Sequence, residues 1–391
     1  MDVLDCTVMP YPWGSRTAIA ELTGRPPSSQ PEAELWMGAH PVAPAKIERG
    51  GTKATLDAIV ARDPEAELGR ASLDAFGPRL PFLLKVLAAA EPLSLQAHPT
   101  LAQARKGFAD EEARGVPLTA SFRNYKDPSH KPELLCALTP FEALSGFRAP
   151  REVLDLFAAL DVPAAMAPLA PLRMTPDAQG IAETFEALMT MPEERRAPIV
   201  DAVVAAARRG SGYERERALV RRLAELYPGD IGIVSALLLE QVHLEPGEAI
   251  FLAAGNMHAY LDGTGVEIMA SSDNVLRGGL TRKHVDVPEL LRVLTFAPQR
   301  TQILRPRAVD ADESVYDTPA REFRLSRLVV KGELRRAPTG PEILLVTEGT
   351  VRPRGESDRT LERGASAFVP ASHGEYVLEG NATVFRATTN L

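Results

Sequence analysis

The sequence predicts a mainly β protein with an α-helical insert, built as two jelly-roll barrels plus a helical subdomain. Three observations carry this. Short β-type runs bounded by Gly, Pro, Asp and Asn occupy both ends of the chain, as in sandwiches and jelly rolls. Apolar residues recur at helical spacing from about Pro150 to Tyr227. One β-unit occurs twice, which implies two similar barrels. The predicted division is a discontinuous catalytic domain (1–149 and 229–310), an inserted helical subdomain (150–228) and a C-terminal β domain without a metal site (311–391).

In the insert, Val153, Leu154, Phe157 and Leu160 form a first stripe, with Pro150 near a first turn. Ile181, Phe185, Leu188 and Met189 form a second, preceded by Thr175-Pro176 as cap and first helical residue. Leu219, Leu223 and Leu226 form a third, which stops at Pro228-Gly229. All three read as core packing. Outside the insert, Ala249–Leu252, Val266–Met269, Phe323–Val330, Ile343–Val346 and Ala382–Phe385 read as strands. The repeated unit begins Leu244-Glu245-Pro246-Gly247 in its first copy and Leu361-Glu362-Arg363-Gly364 in its second, and ends in Phe251-Leu252 and Phe368-Val369. The copies then diverge, with Glu375 at the step where the first has His258, so the first barrel is expected to carry the chemistry.

Composition narrows the function classes. The chain has 391 residues, 45% hydrophobic and 25% charged, as expected of a globular protein with a sizeable core. Its net charge of −8 argues against a nucleic-acid partner gripped by a basic face. No apolar run is long enough to span a membrane, since Lys85 and Glu91 interrupt the best stretch. The N-terminus, with Asp2 and Asp5, does not read as a signal peptide. Two cysteines, Cys6 and Cys136, make no disulfide framework, so a cytoplasmic location is expected.

Among seven histidines, two sit in a setting that suggests metal. Gln96 and His98 are two apart, so on a strand both leave the same face. His130-Lys131-Pro132-Glu133 adds a carboxylate, and Gly255-Asn256-Met257-His258 a second imidazole at a strand-to-turn junction. Two His and a carboxylate without thiolate suit catalytic zinc, and also Fe(II) or Mn(II). From spacing alone, His98 and His258 read equally as hydrogen-bonded core residues. The stretch from Asp273 to His284 is polar and glycine-rich, and Arg277 beside Gly278 and Gly279 can approach an anion. Arg282, Lys283 and His284 read as a solvated face. Lys85, inside an apolar run, needs an anion or carboxylate partner unless it snorkels to the surface.

Several stretches then resemble the type I mannose-6-phosphate isomerases, zinc-dependent members of the cupin superfamily. They are Glu34-Leu35-Trp36-Met37-Gly38-Ala39-His40-Pro41, Leu80 to Leu87, Pro92-Leu93-Ser94-Leu95-Gln96-Ala97-His98-Pro99, His130 to Glu133, Gly255 to Tyr260, and Ala270 to Thr281. They stand in family order. Gly247 to His258 follows the general cupin pattern, with Ala253 in place of its proline. The family also often has an acidic residue where this chain has Pro12 before Trp13-Gly14.

The resemblance implies two cupin barrels and one Zn²⁺ per chain held by Gln96, His98, Glu133 and His258. It implies interconversion of mannose 6-phosphate and fructose 6-phosphate through a cis-enediol. Arg277, Lys131 and Glu267 fall on active-site positions, and Ser94 and Lys85 on positions associated with substrate and phosphate; Trp36 is a further candidate for the sugar site. Glu267 and Asp273 are candidate bases, with His130 and a zinc-bound water as rivals. The expected partner is a small sugar phosphate, with no nucleic acid and no membrane, and the expected state is a monomer. Two other readings are a non-catalytic sugar-phosphate-binding cupin and an Fe(II) dioxygenase; Gln96 as fourth ligand and the cations Lys131 and Arg277 argue against the latter.

Overall fold

The computed structural model describes residues 1–298, 300–355 and 359–391. Most of the strands belong to two large antiparallel sheets, with helices concentrated in the middle of the chain. The first sheet runs in the order Ile303–Leu304, Ala249–Leu252, Glu133–Ala137, His258–Ala270, Phe82–Ala89, Glu34–Met37, Thr7–Met9. Leu239–Leu244, Phe141–Phe147, Gln96–Ala97 and Leu276–Arg277 branch from it.

One strand explains how this sheet becomes a barrel. His258–Ala270 pairs through its first residues with Phe141–Phe147 and Gln96, and through its last with Phe82–Ala89 and Glu133–Ala137. The partner change falls at a register shift between Tyr260 and Asp262, next to Gly263. Gly263 has φ +115°, and a Cβ there would lie 2.6 Å from the Pro140 carbonyl oxygen. Only glycine allows the strand to turn this corner.

The second sheet runs Asp2–Val3, Ser366–Val369, Glu342–Pro353, Tyr376–Thr388, Arg324–Arg336, Glu313–Tyr316, Arg307–Ala308, with Leu361–Glu362 paired to Glu342–Pro353. It therefore takes in the chain's first strand as well as its last. Alternation sorts its side chains into two cores. Leu328, Val330, Leu344, Val346 and Val384 point into the second barrel. Leu325, Ile343, Leu345, Phe385 and Ala387 face the first sheet, against Phe82, Leu84, Val86, Leu134, Cys136 and Ile268. The interior of the second barrel also holds an ionic cluster, in which Arg386 Nη2 donates to Glu313 Oε1 at 2.6 Å and the Tyr376 hydroxyl donates to Glu342 Oε2 at 2.8 Å.

The two copies of the repeat fold alike. Each passes from a strand end through a left-handed glycine, Gly247 at φ +88° and Gly364 at φ +84°, into a four-residue strand. Each then leads to a 13-residue strand, His258–Ala270 or Tyr376–Thr388.

In the middle of the chain, helices Pro150–Leu160, Ala178–Met189, Glu193–Ala207 and Glu214–Leu226 bury the expected stripes, except that Leu154 is half-buried with Leu156 buried beside it in the first and Val220 replaces Leu226 in the third. The second of these helices begins later than Thr175-Pro176 suggested. Asp177 is its cap, and its carboxylate accepts from the Gln179 and Gly180 amides, which the Thr175 side chain does not reach. The helices share one apolar cluster with Leu95, Ala97, Leu144, Ala259 and Leu276, so the insert packs on the outside of the sheet that carries Gln96 and His258.

Glu375 is exposed and bound to Arg335, and His373 is half-buried beside Tyr376. Replacing both by alanine is expected to leave bound metal and turnover unchanged, as surface changes usually do. Metal analysis and an activity assay check this, and loss of metal would place chemistry in the second barrel.

Candidate active site

Strand alternation builds the site. Along Phe82–Ala89, the residues Phe82, Leu84 and Val86 face the second sheet, so Leu83, Lys85 and Leu87 face into the first barrel. Register then sets rows of neighbours on that inner face. Trp36, Lys85 and Glu267 lie side by side on three adjacent strands, and so do Leu83, Met269 and Glu133. On the other wall, Arg277, Gln96, His258 and Ser145 form a third row. Residues directly opposite on antiparallel strands project from the same face.

At the centre, ligand atoms of His98, Glu133 and His258 all lie within 4.8 Å of one another, and all three residues are buried. Among the described residues no other group of three or more His, Cys, Asp or Glu is placed to hold a metal ion. His98 Nδ1 lies 2.7 Å from the Asn274 carbonyl oxygen, and His258 Nδ1 lies 3.0 Å from that of Asn256. A carbonyl can only accept, so in both rings Nδ1 carries the proton and Nε2 presents a lone pair. His98 Nε2 stands 3.3 Å from Glu133 Oε1, and His258 Nε2 stands 3.4 Å from Glu133 Oε2. Both Nε2 atoms and Glu133 Oε2 are buried without a hydrogen-bond partner. Three acceptors converging on one point repel each other unless a cation lies between them. The residues fit a divalent metal with nitrogen and oxygen donors. Gln96, directly opposite His258, is placed on the same face.

Electrostatics point the same way. Burial pushes the His98 imidazole down to about 4, against the pull of Glu133. Burial alone would raise the Glu133 carboxyl, but Lys131, with its Nζ 2.8 Å from Oε1, and His98 hold it well below the usual carboxylate range. Lys85 lies between two carboxylates, 3.0 Å from Glu267 and 3.5 Å from Glu34, and stays protonated. Trp36 donates its indole N–H to Glu34 at 2.6 Å. Burial raises the Glu267 carboxyl, with Lys85 opposing.

Trp36, Lys85, Ser94, Gln96, Lys131, Glu133, Glu267, Asp273 and Arg277 all border one cavity of about 610 Å³. The structure thus brings together nearly every residue singled out in the sequence. His130 does not border the cavity; its Nε2 lies 2.6 Å from the Glu322 carboxylate. Arg282 and Lys283, expected on a solvated face, are exposed but line the mouth. Arg277, Arg282 and Lys283 have no carboxylate partner among the described residues, and burial lowers the pKa of Arg277 and Lys283. The inner cations are paired, so these three form a free cationic pole.

Sequence reasoning missed the supports. The Asn274 side chain accepts from the Lys126 amide and donates to the carbonyls of Asp127 and Ser129, which fixes the carbonyl that orients His98. His40 Nδ1 accepts from the Val42 amide, so its Nε2 carries the proton and faces Asp273 Oδ1 at 3.4 Å. Burial would raise the Asp273 carboxyl, but His40 brings it below its ordinary value. His40 stood within a resembling stretch, but nothing local linked it to Asp273. A second cavity, of about 590 Å³ beside helix Leu101–Ala113, contains none of these residues.

The His98 shift fixes a pH dependence for the metal-free chain. The folded value near 4 lies below the ordinary 6.5, so the folded state binds fewer protons between them. Stability is complete above pH 6.5 and falls as the pH drops towards 4, by on the order of 3 kcal/mol. Urea unfolding of chelated protein should show this loss, and the H98Q variant should show less of it. Parallel profiles for the two proteins would contradict it.

A sequence profile of the type I phosphomannose isomerase catalytic domain matches residues 1–150. The chain is 39% identical to the mannose-6-phosphate isomerase of Escherichia coli K12 over 396 residues, covering 100% of both chains. It is 34% identical to the human mannose-6-phosphate isomerase over 404 residues, covering 94% of this chain and 93% of the relative. Among solved structures, a mutant phosphomannose isomerase from Salmonella typhimurium superposes with a TM-score of 0.94 at 38% identity over 100% of both chains. A zinc-bound mannose 6-phosphate isomerase gives 0.93 at 38% identity, covering 100% of this chain and 99% of that one. Alignment over the whole length, with a metal-binding group where the resembling motifs meet, makes this chain a member of the mannose-6-phosphate isomerase family, in its type I branch.

Proposed function

We propose that the chain interconverts D-mannose 6-phosphate and D-fructose 6-phosphate, moving a proton between C1 and C2 through a cis-enediol with one zinc ion per chain. The carrying observation is the meeting of three buried acceptors, His98 Nε2, His258 Nε2 and Glu133 Oε2, at a point where Glu133 borders a cavity with a free cationic pole. His98, Glu133 and His258 would hold the ion, with the Gln96 carboxamide as fourth ligand. Bound there, zinc supplies positive charge that polarises substrate oxygens.

The remaining roles fall to the chain's own groups. Arg277, with Arg282 and Lys283 beyond it, receives the phosphate, and Ser94 assists from the neighbouring segment. The Lys85 ammonium is already matched by two carboxylates, so it serves to tune Glu267 rather than to grip phosphate. Glu267 is the base that takes the C–H proton. It is buried, its affinity for a proton is raised, and the Lys85 ammonium at 3.0 Å opposes that rise and keeps the carboxylate form within reach. Lys131 keeps positive charge beside the developing enediolate oxygens. Asp273, held by His40, is placed to move a hydroxyl proton, and Trp36 forms part of the sugar wall. His130 faces Glu322 and takes no part in proton transfer.

The proposed working unit is a monomer. Both cysteines are free, and burial pushes each thiol up to about 12, in keeping with a reducing cytoplasm. Among the described residues no helix is long and apolar enough to cross a membrane. The proposed division is a catalytic cupin domain (1–149 with 229–310), a helical insert (150–228) and a C-terminal barrel (311–391), with Asp2–Val3 and Arg307–Ala308 pairing in the sheet of the C-terminal barrel. The non-catalytic and Fe(II) dioxygenase readings are not favoured, because the full-length relatives are named as isomerases.

Purified protein should convert mannose 6-phosphate to fructose 6-phosphate, lose this on chelation and regain it with zinc. The E267Q variant should keep its zinc while kcat falls by roughly 10²- to 10⁴-fold. An E267Q enzyme with zinc bound and kcat unchanged would transfer the base role to Asp273.

A further inference from the structure

The segment that carries the cationic pole has little structure of its own. Leu276–Arg277 is a strand of two residues paired only with Gln96–Ala97, and the chain then runs through Gly278 to Lys283 without helix or strand. Its three cations lack carboxylate partners and repel one another, so something else must hold the backbone. Gly278 N–H donates to the Leu95 carbonyl at 2.8 Å, and Leu95 N–H donates to that of Gly279 at 3.1 Å. These ties lie before the turn. Beyond it, Thr281 N–H donates to Asp230 Oδ2 at 3.2 Å.

Asp230 lies just past the helical insert, ahead of the short helix Gly232–Ala236, whose Ile233, Val234 and Ala236 share the insert's apolar cluster. Its other oxygen accepts from Gly232 N–H at 2.7 Å, which fixes the carboxylate. Around it the two backbones touch. A Cβ on Gly232 would lie 2.7 Å from Leu280 N, and one on Gly279, at φ +119°, would lie 2.8 Å from Gly232 Cα. Leu280 sits buried at φ +53°, a conformation that a leucine holds only when its surroundings impose it. The Tyr227 hydroxyl donates to the Pro92 carbonyl at 2.8 Å, two residues before Ser94. The chain from Tyr227 to Asp230, where the insert ends, therefore ties both the segment before Ser94 and the segment that carries the cationic pole.

We infer that Asp230 is a positioning residue: by tying Thr281 it aims the segment from Arg277 to Lys283, so the junction where the helical insert returns to the barrel sets affinity for the phosphorylated end of the substrate. This rests on the sugar-phosphate reading above. Asp230 touches no reacting atom, and its loss acts on binding more than on proton transfer.

The test uses D230N and D230S in the full chain. Asparagine keeps an oxygen for Gly232 N–H, but its amide nitrogen cannot accept from Thr281. Serine can accept from Gly232 in the same turn and is too short to reach Thr281. In both variants KM for mannose 6-phosphate should rise about tenfold while kcat stays within about threefold. The inhibition constant of inorganic phosphate should rise in parallel, with zinc content and thermal midpoint unchanged. Amide hydrogen exchange from Gly278 to Lys283 should be faster. Unchanged KM and phosphate inhibition in folded variants would overturn the inference, as would a fall in kcat at constant KM. Loss of zinc and fold in both would overturn it too, because Asp230 would then support the domain as a whole. A wild-type enzyme that neither converts mannose 6-phosphate nor responds to phosphate would instead sink the functional reading.

Discussion

Three hydrogen-bond acceptors buried against one another are the constraint on which the rest of this structure depends. Each Nδ1–H of His98 and His258 is spent on a backbone carbonyl, and both Nε2 lone pairs are turned on the Glu133 carboxylate. In water such groups would be solvated. Inside a protein, without a cation, each would bear its own desolvation cost. The surrounding charges are arranged to match. Lys131 compensates one oxygen of Glu133, and burial keeps His98 neutral at ordinary pH, so protons compete weakly for the ligand atoms.

The architecture follows from the need to bring those atoms together from distant parts of the chain. One long strand, bent at Gly263, supplies His258 at one end and Glu267 near the other. Because its halves pair with different neighbours, Gln96 meets His258 on one wall while Lys85 meets Glu267 on the other. The second barrel repeats the same strand–turn–strand unit, and its interior holds aliphatic side chains together with the ion pair of Arg386 and Glu313. Its outer face packs on the first sheet, so it stiffens the wall that carries Lys85 and Glu133.

Much of this was legible in the sequence because it rests on local rules. Period-two alternation placed Gln96 and His98 on one face, helical stripes marked the insert, and the repeat from Leu244 and Leu361 announced two related barrels. What escaped is what depends on contacts distant in sequence. Lys85 could be recognised as needing a partner, but not that Glu34 and Glu267 would both supply one. Arg282 and Lys283 look like surface residues because they are exposed; only the fold shows that this surface is the rim of the cavity. His40 and Asp273 meet although 233 positions separate 40 from 273. The helix start at Asp177 rather than Thr175 turned on which side chain reaches the Gln179 and Gly180 amides.

The account stands or falls on the coordination shell. X-ray absorption at the zinc edge of the purified wild-type protein reads that shell directly. It should give a mononuclear site of nitrogen and oxygen donors only, with the multiple-scattering pattern of two imidazoles. A sulfur shell, or the absence of imidazole scattering, would place the ion elsewhere and contradict the reading of His98, Glu133 and His258 as its binding group.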